Sequence, residues 1–529
     1  MFQLLDVRLN LKANPSQRDI YTFFGRTMDG GAVCMHVHGR RPSVVVRASK
    51  HVSLSEAKSF IAESLASKLQ WLDKQKYASL KSVPHATTRT EFLQLIRKTP
   101  RGWNRYLTME RTNPRFQPGG YPPKTCSWRD CTFAEKAKYM YKKIVRDLEK
   151  PLIDLTCTEE LGRNFRDVSL EFESTPFWRL QVACVEYWKA LKYLFRGKRC
   201  QTFFGEELQT FDCSLTPLLR TLLDVGITPC SWVSAPNEQE VSRKLAHVRE
   251  TETTVRNVRC DKKNQTMAPW VVLTLDIEIL PYVTNQAAME LDPTLSPTID
   301  YRGAEQDPIL QISCVVARNG QVHVQDVFLL EPNEERLKTL SKEFDDGAFV
   351  PSSCTVHSFH CEKKMLLALA EYVVKQDPDI LSGYNVGNFD LRYIWQRIDA
   401  LDVKGDLKAA KHWSRVIGYD CELSKSVFQS RAFGSNETWK VDIPGRTTLD
   451  MYQVMKKEHK LTSYKLDNVA KEFLGTAKLA VAYSEIPVLQ RTQKGREKMA
   501  VYCLKDSWLS YGILDKLCKL GNAVEMARV

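Results

Sequence analysis

Two carboxylates stand two residues apart in an otherwise apolar run: Asp276 and Glu278 in APWVVLTLDIEIL (268–280). The run is β-branched and apolar, which argues for a buried strand, and in a strand both acids project from one face. A buried anion needs a partner or a metal ion. Taken alone, a D-x-E pair is also explained by an edge strand facing water. Asp390 closes GYNVGNFD (383–390), just past a strand-like DILS and at the start of a helix-like LRYIWQRI. Its ordinary explanation is a helix N-terminal acid favoured by the dipole. Tyr502 and Asp506 in VYCLKDSWLSYGIL are spaced i, i+4 and so share one helical face. An amphipathic helix with a tyrosine at the core margin explains them equally well. A single shared site explains all five better than three separate accidents. Clustered carboxylates supply the oxygen ligands that Mg²⁺ prefers, and the chemistry expected of such a cluster is metal-assisted hydrolysis.

The elements that must position these residues follow from the local texture. From Ala268 onward, strand-like ILQISCVVARNG and VHVQDVFLL are followed by a helix over Cys361 to Lys375 and by the strand, turn and helix around Asp390. That alternation predicts α/β architecture. KSVFQSRAFGSNETWKVDI (425–443) reads as two strands around Gly434-Ser435-Asn436. Upstream, the first fifty residues look β-rich, with a hairpin turn at Asp29-Gly30-Gly31. A helix is expected over about 54–76, opened by a capping box of Ser53 and Glu56. Asn113 to Thr125 is a Pro/Gly loop and an expected internal boundary, and Phe133 to Arg199 reads as mainly helical.

The order of strand D-x-E, strand–turn–helix N-x-x-x-F-D and helix Y-x-x-x-D resembles the three exonuclease motifs of the DnaQ-like superfamily. LSGYNVGNFDLRYI, GRTTLDMYQVMKKEHKLTSYKLDNVAKEFLG (445–475) and YCLKDSWL resemble the proofreading exonuclease of family B DNA polymerases, of the eukaryotic delta-like or large-DNA-virus type. LLRTLLDVGITPCSW (218–232), GRTMDGGAVCMHVHGRRPSVVV and the final EMARV are similar to the family's flanking regions, whereas 110–215 match no pattern of it. The resemblance implies an RNase H-like exonuclease domain over 265–516, preceded by a mixed α+β N-terminal domain over 1–264 with a mainly helical segment at about 126–200. Residues 517–529 would open a junction to a palm domain. Leu275 stands where the family usually has an aromatic, a change of packing only.

The resemblance further implies two Mg²⁺ ions, with Mn²⁺ able to substitute, held by Asp276, Glu278, Asp390 and Asp506, with Tyr502 orienting the attacking water. Asn385, Phe389 and Tyr464 resemble residues that hold a frayed DNA 3′ end. On the residues alone, Phe389 is equally a core side chain, and Tyr464 is favoured as structural. Asp450 lies near the family's site without being a ligand, and the 425–443 hairpin would separate primer from template. The implied partners are single-stranded primer ends, primer–template DNA, the rest of a polymerase and accessory subunits, in a nucleus or viral replication compartment. No SLYPS-like or YGDTDS-like segment is present, so the polymerising carboxylates are expected elsewhere, on a longer chain or a separate one. The alternatives are a stand-alone exonuclease, acting on RNA as one option, and a non-catalytic nucleic-acid-binding module.

Composition narrows the classes without choosing among them. With 529 residues the chain predicts two to four domains, and a 43% apolar fraction argues against disorder. A run of some 18 apolar residues is absent, as is a secretory pattern at the start. A net charge of +13 suits a polyanion and equally suits a solvated basic surface. The fifteen cysteines are scattered, and apart from Cys126 and Cys131 no pair has zinc-like spacing; they read as reduced packing thiols of an intracellular protein.

Overall fold

A computed structural model describes residues 1–9, 19–39, 41–77, short pieces between 109 and 140, 155–161, 172, 174–211, 213–241, 245–292, 295–331, 337–340, 353–430 and 434–528. The α/β expectation holds. A six-stranded sheet runs in the order Thr355–Phe359, Gln321–Leu330, Ile309–Arg318, Val271–Ile279, Ile380–Gly383, Thr447–Asp450. The Val271–Ile279 strand lies inside it, antiparallel to Ile309–Arg318 and parallel to Ile380–Gly383. Both faces of a strand in that place are covered, which explains its near-continuous apolar run.

Alternation along this central strand assigns its two faces. Leu273, Leu275, Ile277 and Ile279 pack with Met365 and Leu369 of helix Glu362–Gln376 and with Ile394 and Trp395 of helix Asp390–Leu401. Val272 faces the other way, into a core with Val469 of helix Leu466–Leu474 and Leu504 and Ile513 of helix Gln493–Lys516. Asp276 and Glu278 share the parity of Val272 and so point toward Gln493–Lys516. Leu275, at the position without an aromatic, is buried in the first core.

A seven-stranded sheet precedes this unit, in the order Gln239–Glu240, Arg249–Thr254, Ala32–His38, Tyr21–Arg26, Phe2–Leu9, Trp232–Ser234, Arg259–Asp261. The expected turn at Asp29–Gly31 joins Tyr21–Arg26 to Ala32–His38. A four-stranded sheet of Leu155–Leu161, Pro176–Val182, Ser43–Arg47 and Thr210–Phe211 packs on helices Leu54–Tyr77 and Val185–Leu194. The Ser53–Glu56 capping box forms, with Ser53 N donating to Glu56 Oε2 at 2.9 Å.

Three expectations need correction. The stretch 133–199 is not mainly helical among its described residues, because 155–161 and 176–182 are strands. Pairing of 176–182 with the Ser43–Arg47 strand, and of 155–161 with 176–182, outweighs the helical spacing that dominates only from Val185. The hairpin strands are Glu422–Ser430 and Gly434–Asp442, so Gly434-Ser435-Asn436 begins the second strand rather than forming the turn, and 431–433 lie outside the described residues. Thirteen cysteines are free thiols, but Cys131 is disulfide-bonded, against the expectation of reduced thiols. The Asn113–Thr125 loop lies largely outside the described residues; within it, Arg115–Phe116 pairs with Cys126–Ser127.

A buried ion cluster joins the first sheet to the second. Arg26, from the Tyr21–Arg26 strand, donates through Nε to Asp379 Oδ2 at 2.5 Å, and Arg415 Nη2 donates to Asp379 Oδ1 at 2.7 Å. Asp379 Oδ2 also accepts from Val271 N at 2.8 Å, fixing the start of the central strand. Asp377 takes Arg415 Nε at 2.8 Å and Arg446 Nη1 at 2.9 Å. Burial pushes the Asp377 carboxyl up, but Arg415 and Arg446 more than reverse this and hold it below its ordinary value. Breaking such a pair strands charge in the interior, so Asp379→Ala is expected to cost about 3–5 kcal/mol of unfolding free energy. Denaturant titration checks this, and a loss under about 1 kcal/mol would show the cluster to be incidental.

Candidate active site

The central strand delivers Asp276 and Glu278 opposite Ser313 and Gln311 of its antiparallel neighbour. The helix Gln493–Lys516 is then locked over them. Thr492 caps its start, accepting from Gly495 N at 3.0 Å. Ser313 Oγ donates to Cys503 O at 2.8 Å and lies 2.7 Å from Ser507 Oγ, and Gln311 Nε2 donates to Arg496 O at 3.0 Å. These bonds fix the rotation that turns Tyr502, Cys503 and Asp506 onto the acids. Oxygens of Asp276 and Glu278 and the Cys503 sulfur lie within 4.8 Å of one another, and Cys503 Sγ is 3.8 Å from Asp276 Oδ2.

Asp390 arrives from the other neighbour. The Ile380–Gly383 strand pairs only with Val272–Thr274, which leaves the far half of the central strand open on that side. Gly383 makes the close approach there, since a Cβ on it would sit 2.6 Å from Leu275 O. The chain turns through Asn385, whose φ of 65° is left-handed, and Asp390 then opens its helix. Its Oδ1 accepts the Ile277 N–H at 3.1 Å, the donor left unpaired by the end of the strand. Asp450 holds the loop, accepting from Asn385 N at 3.0 Å and Gly387 N at 3.2 Å as well as capping its own helix at Tyr452 N. Asp450 is thus a clamp for the loop.

The structure brings Asp276, Glu278, Asp390, Tyr502 and Asp506 close enough for their charges to act on one another. Burial, then Asp506, pushes the Asp276 carboxyl up to about 8. Burial followed by Asp276 raises Glu278 and Asp390 well above ordinary carboxylates. Asp506 is raised by burial to about 6, held that low by Lys478. One oxygen each of Asp390 and Asp506, Oδ2 and Oδ1, is buried without a hydrogen-bond partner. Orphaned oxygens among crowded acids are what a divalent cation satisfies, so these residues fit one.

Two further residues enter that spacing did not mark. Lys478 ion-pairs with Asp506 and lies 5.0 Å over the Tyr502 ring. It sits in a loop held by the Lys478 N to Asp467 Oδ1 bond at 3.1 Å, where no periodicity points to it. Cys503 was legible only as one packing cysteine among many.

The residues expected at DNA divide. Phe389 is 38% exposed, 6.1 Å from the Tyr393 ring, itself 6.4 Å from the half-exposed Tyr301. Asn385 sits in the same loop. The Tyr464 hydroxyl is occupied locally, donating to His459 O at 2.7 Å and accepting from Leu461 N, and its ring packs at the second core.

Comparison with known proteins agrees with this geometry. Residues 208–469 match the family described as DNA polymerase family B, exonuclease domain, whose members work with divalent metals. The chain is similar to the DNA polymerase delta catalytic subunits of Candida albicans (32% identical over 338 residues, 60% of this chain and 28% of that one), Dictyostelium discoideum (31% over 327 residues, 61% and 27%) and Bos taurus (30% over 371 residues, 67% and 30%). It therefore spans less than a third of these relatives' length. The fold resembles a family B DNA polymerase from the hyperthermophilic archaeon Pyrobaculum calidifontis, with a TM-score of 0.53 and 16% identity over 100% of this chain and 47% of that one. Among the described residues no helix is long and apolar enough to cross a membrane.

Raised carboxylates favour the folded state when protonated, so their contribution is full below the ordinary carboxylate range and is lost as pH climbs past about 6 for Asp506 and about 8 for Asp276. Metal-free protein is therefore expected to melt at lower temperature at pH 8 than at pH 6. Divalent cation should raise the melting temperature more at pH 8, because its ligands must be deprotonated. A cation effect independent of pH would count against the carboxylates as ligands.

Proposed function

We propose that this chain, which belongs to the family B DNA polymerases by its exonuclease domain, hydrolyses the last phosphodiester at DNA 3′ ends as the proofreading portion of a delta-type replicative polymerase. The single observation that carries the reading is the meeting of four carboxylates from three distant elements, two with orphaned oxygens, in one pocket. We assign Asp276, Glu278, Asp390 and Asp506 as ligands of two Mg²⁺ ions, which Mn²⁺ can replace. When bound, such ions supply Lewis acidity and lower the pKa of water.

The chain's own groups orient the reaction. Lys478 lies over the Tyr502 ring and pairs with Asp506, and the Tyr502 hydroxyl is assigned to hold the attacking water. Burial raises the Tyr502 pKa, so this hydroxyl stays protonated through the working range. The water gives up a proton to solvent as its oxygen bonds to phosphorus, the bond from phosphorus to the 3′ oxygen breaks, and that oxygen takes up a proton from solvent in return. A nucleoside 5′-monophosphate leaves, with a new 3′-hydroxyl behind it. Phe389, exposed beside the site, stacks on the frayed end with Asn385 beside it, and Tyr464 supports the fold near them. The hairpin Glu422–Asp442 stands beside the Asp390 loop, where it keeps template from following primer. The exonuclease unit is taken as 265–516, acting on single-stranded primer ends and primer–template in a nucleus or viral replication compartment.

Digestion of a labelled single-stranded DNA in Mg²⁺ tests the assignment. Asp276→Ala with Glu278→Ala is expected to cut the rate by about 10³-fold or more while leaving the protein folded; retained activity discards the site. Phe389→Ala is expected to weaken single-strand binding by about 1–3 kcal/mol, and unchanged affinity would remove it from the DNA contacts. Preference for RNA over DNA would favour a different exonuclease.

A further inference from the structure

The Glu422–Ser430/Gly434–Asp442 hairpin is bonded to the loop that carries Phe389 and Asp390, and one residue makes the joint. Trp439 N donates to Asn388 Oδ1 at 2.9 Å, so the outer edge of the second hairpin strand is tied to the loop's side chain. Gly387 packs so close that a Cβ there would lie 3.3 Å from Trp439 O. The Trp439 ring takes the Arg392 guanidinium, from the first turn of the Asp390 helix, at 4.5 Å, and Lys425, its cross-strand partner, at 5.5 Å. At the hairpin base, Asp442 Oδ1 accepts from Arg8 Nη1 of the first sheet at 2.5 Å.

We propose that Trp439 is a positioning residue that couples the hairpin to the Asn385–Asp390 loop, so that a frayed end reaches the carboxylates only when the hairpin is held in register. The inference rests on the exonuclease reading above and deepens it. The physical reason is one of shared support. Asp450 fixes the loop from the sheet side, and Trp439 fixes it from the hairpin side, where the DNA must be split. A single strand arrives already unpaired and does not need the hairpin. A paired primer does.

The test compares two DNAs of one sequence, a single strand and a primer–template with a mismatched 3′ end, digested by the full chain in Mg²⁺. Trp439→Ala is expected to slow the paired substrate about tenfold and the single strand less than about twofold, because the loss is one of placement and not of ligands. Asn388→Ala, which removes only the acceptor and does not disturb the ring, is expected to show the same selective loss. Trp439→Phe keeps the main-chain donor and an aromatic face, and is expected to restore paired digestion. Equal losses on both substrates, or an unchanged ratio in both Trp439→Ala and Asn388→Ala, overturn the coupling. Absence of single-strand digestion by the unaltered chain would instead defeat the exonuclease reading itself.

Discussion

Crowded negative charge is the constraint around which the second half of the chain is built. Asp276, Glu278, Asp390 and Asp506 are each driven up in pKa, first by burial and most of them next by one another. Lys478, with a smaller effect from Lys505 on Asp506, offsets part of this and leaves all four acids raised. Such a group is costly by itself, and a bound cation would offset the remaining repulsion. The surrounding architecture resists the repulsion. The Ser313 and Gln311 bonds lock the helix Gln493–Lys516 to the sheet, and the Ile277 N–H holds Asp390 by its carboxylate.

Rigidity is supplied from outside the site as well. Asp379 takes the first amide of the central strand and, through Arg26, ties that strand to the preceding sheet. The strand that starts at this ion cluster ends at the carboxylates. Fixing its start therefore fixes its register, and a one-residue slip would send Asp276 and Glu278 into the opposite core. Arg8 and Asp442 add a second tie between the same two units, at the base of the hairpin. The first sheet is thus mechanically continuous with both the catalytic strand and the hairpin beside it.

Sequence and structure part company where local pattern and tertiary pairing compete. The strand around Asp276 was legible because a parallel neighbour on one side and helices on both faces leave only apolar residues acceptable, and two acids stand out against them. Residues 155–161 and 176–182 were not, because 176–182 is a strand by pairing with Ser43–Arg47, more than a hundred residues away, and 155–161 by pairing in turn with 176–182. The hairpin turn was placed too late for a similar reason: Gly434 is a turn signal, yet cross-strand register from Glu422 to Asp442 decides where the strands end. The Cys131 disulfide could not be read from scattered cysteines with no pairing rule.

The amino-acid order alone determined the residue types of the site and the kind of element carrying each, because period-two and period-four spacing express backbone geometry directly. It could not supply Lys478, which reaches Asp506 from a loop and carries no periodic signal. Nor could it separate Phe389 from Tyr464: both are aromatics near the motifs, and only the folded chain leaves the first exposed and consumes the hydroxyl of the second. Burial, orientation and the company a side chain keeps arise from segments hundreds of residues apart. Those properties are settled when the segments pack, and not before.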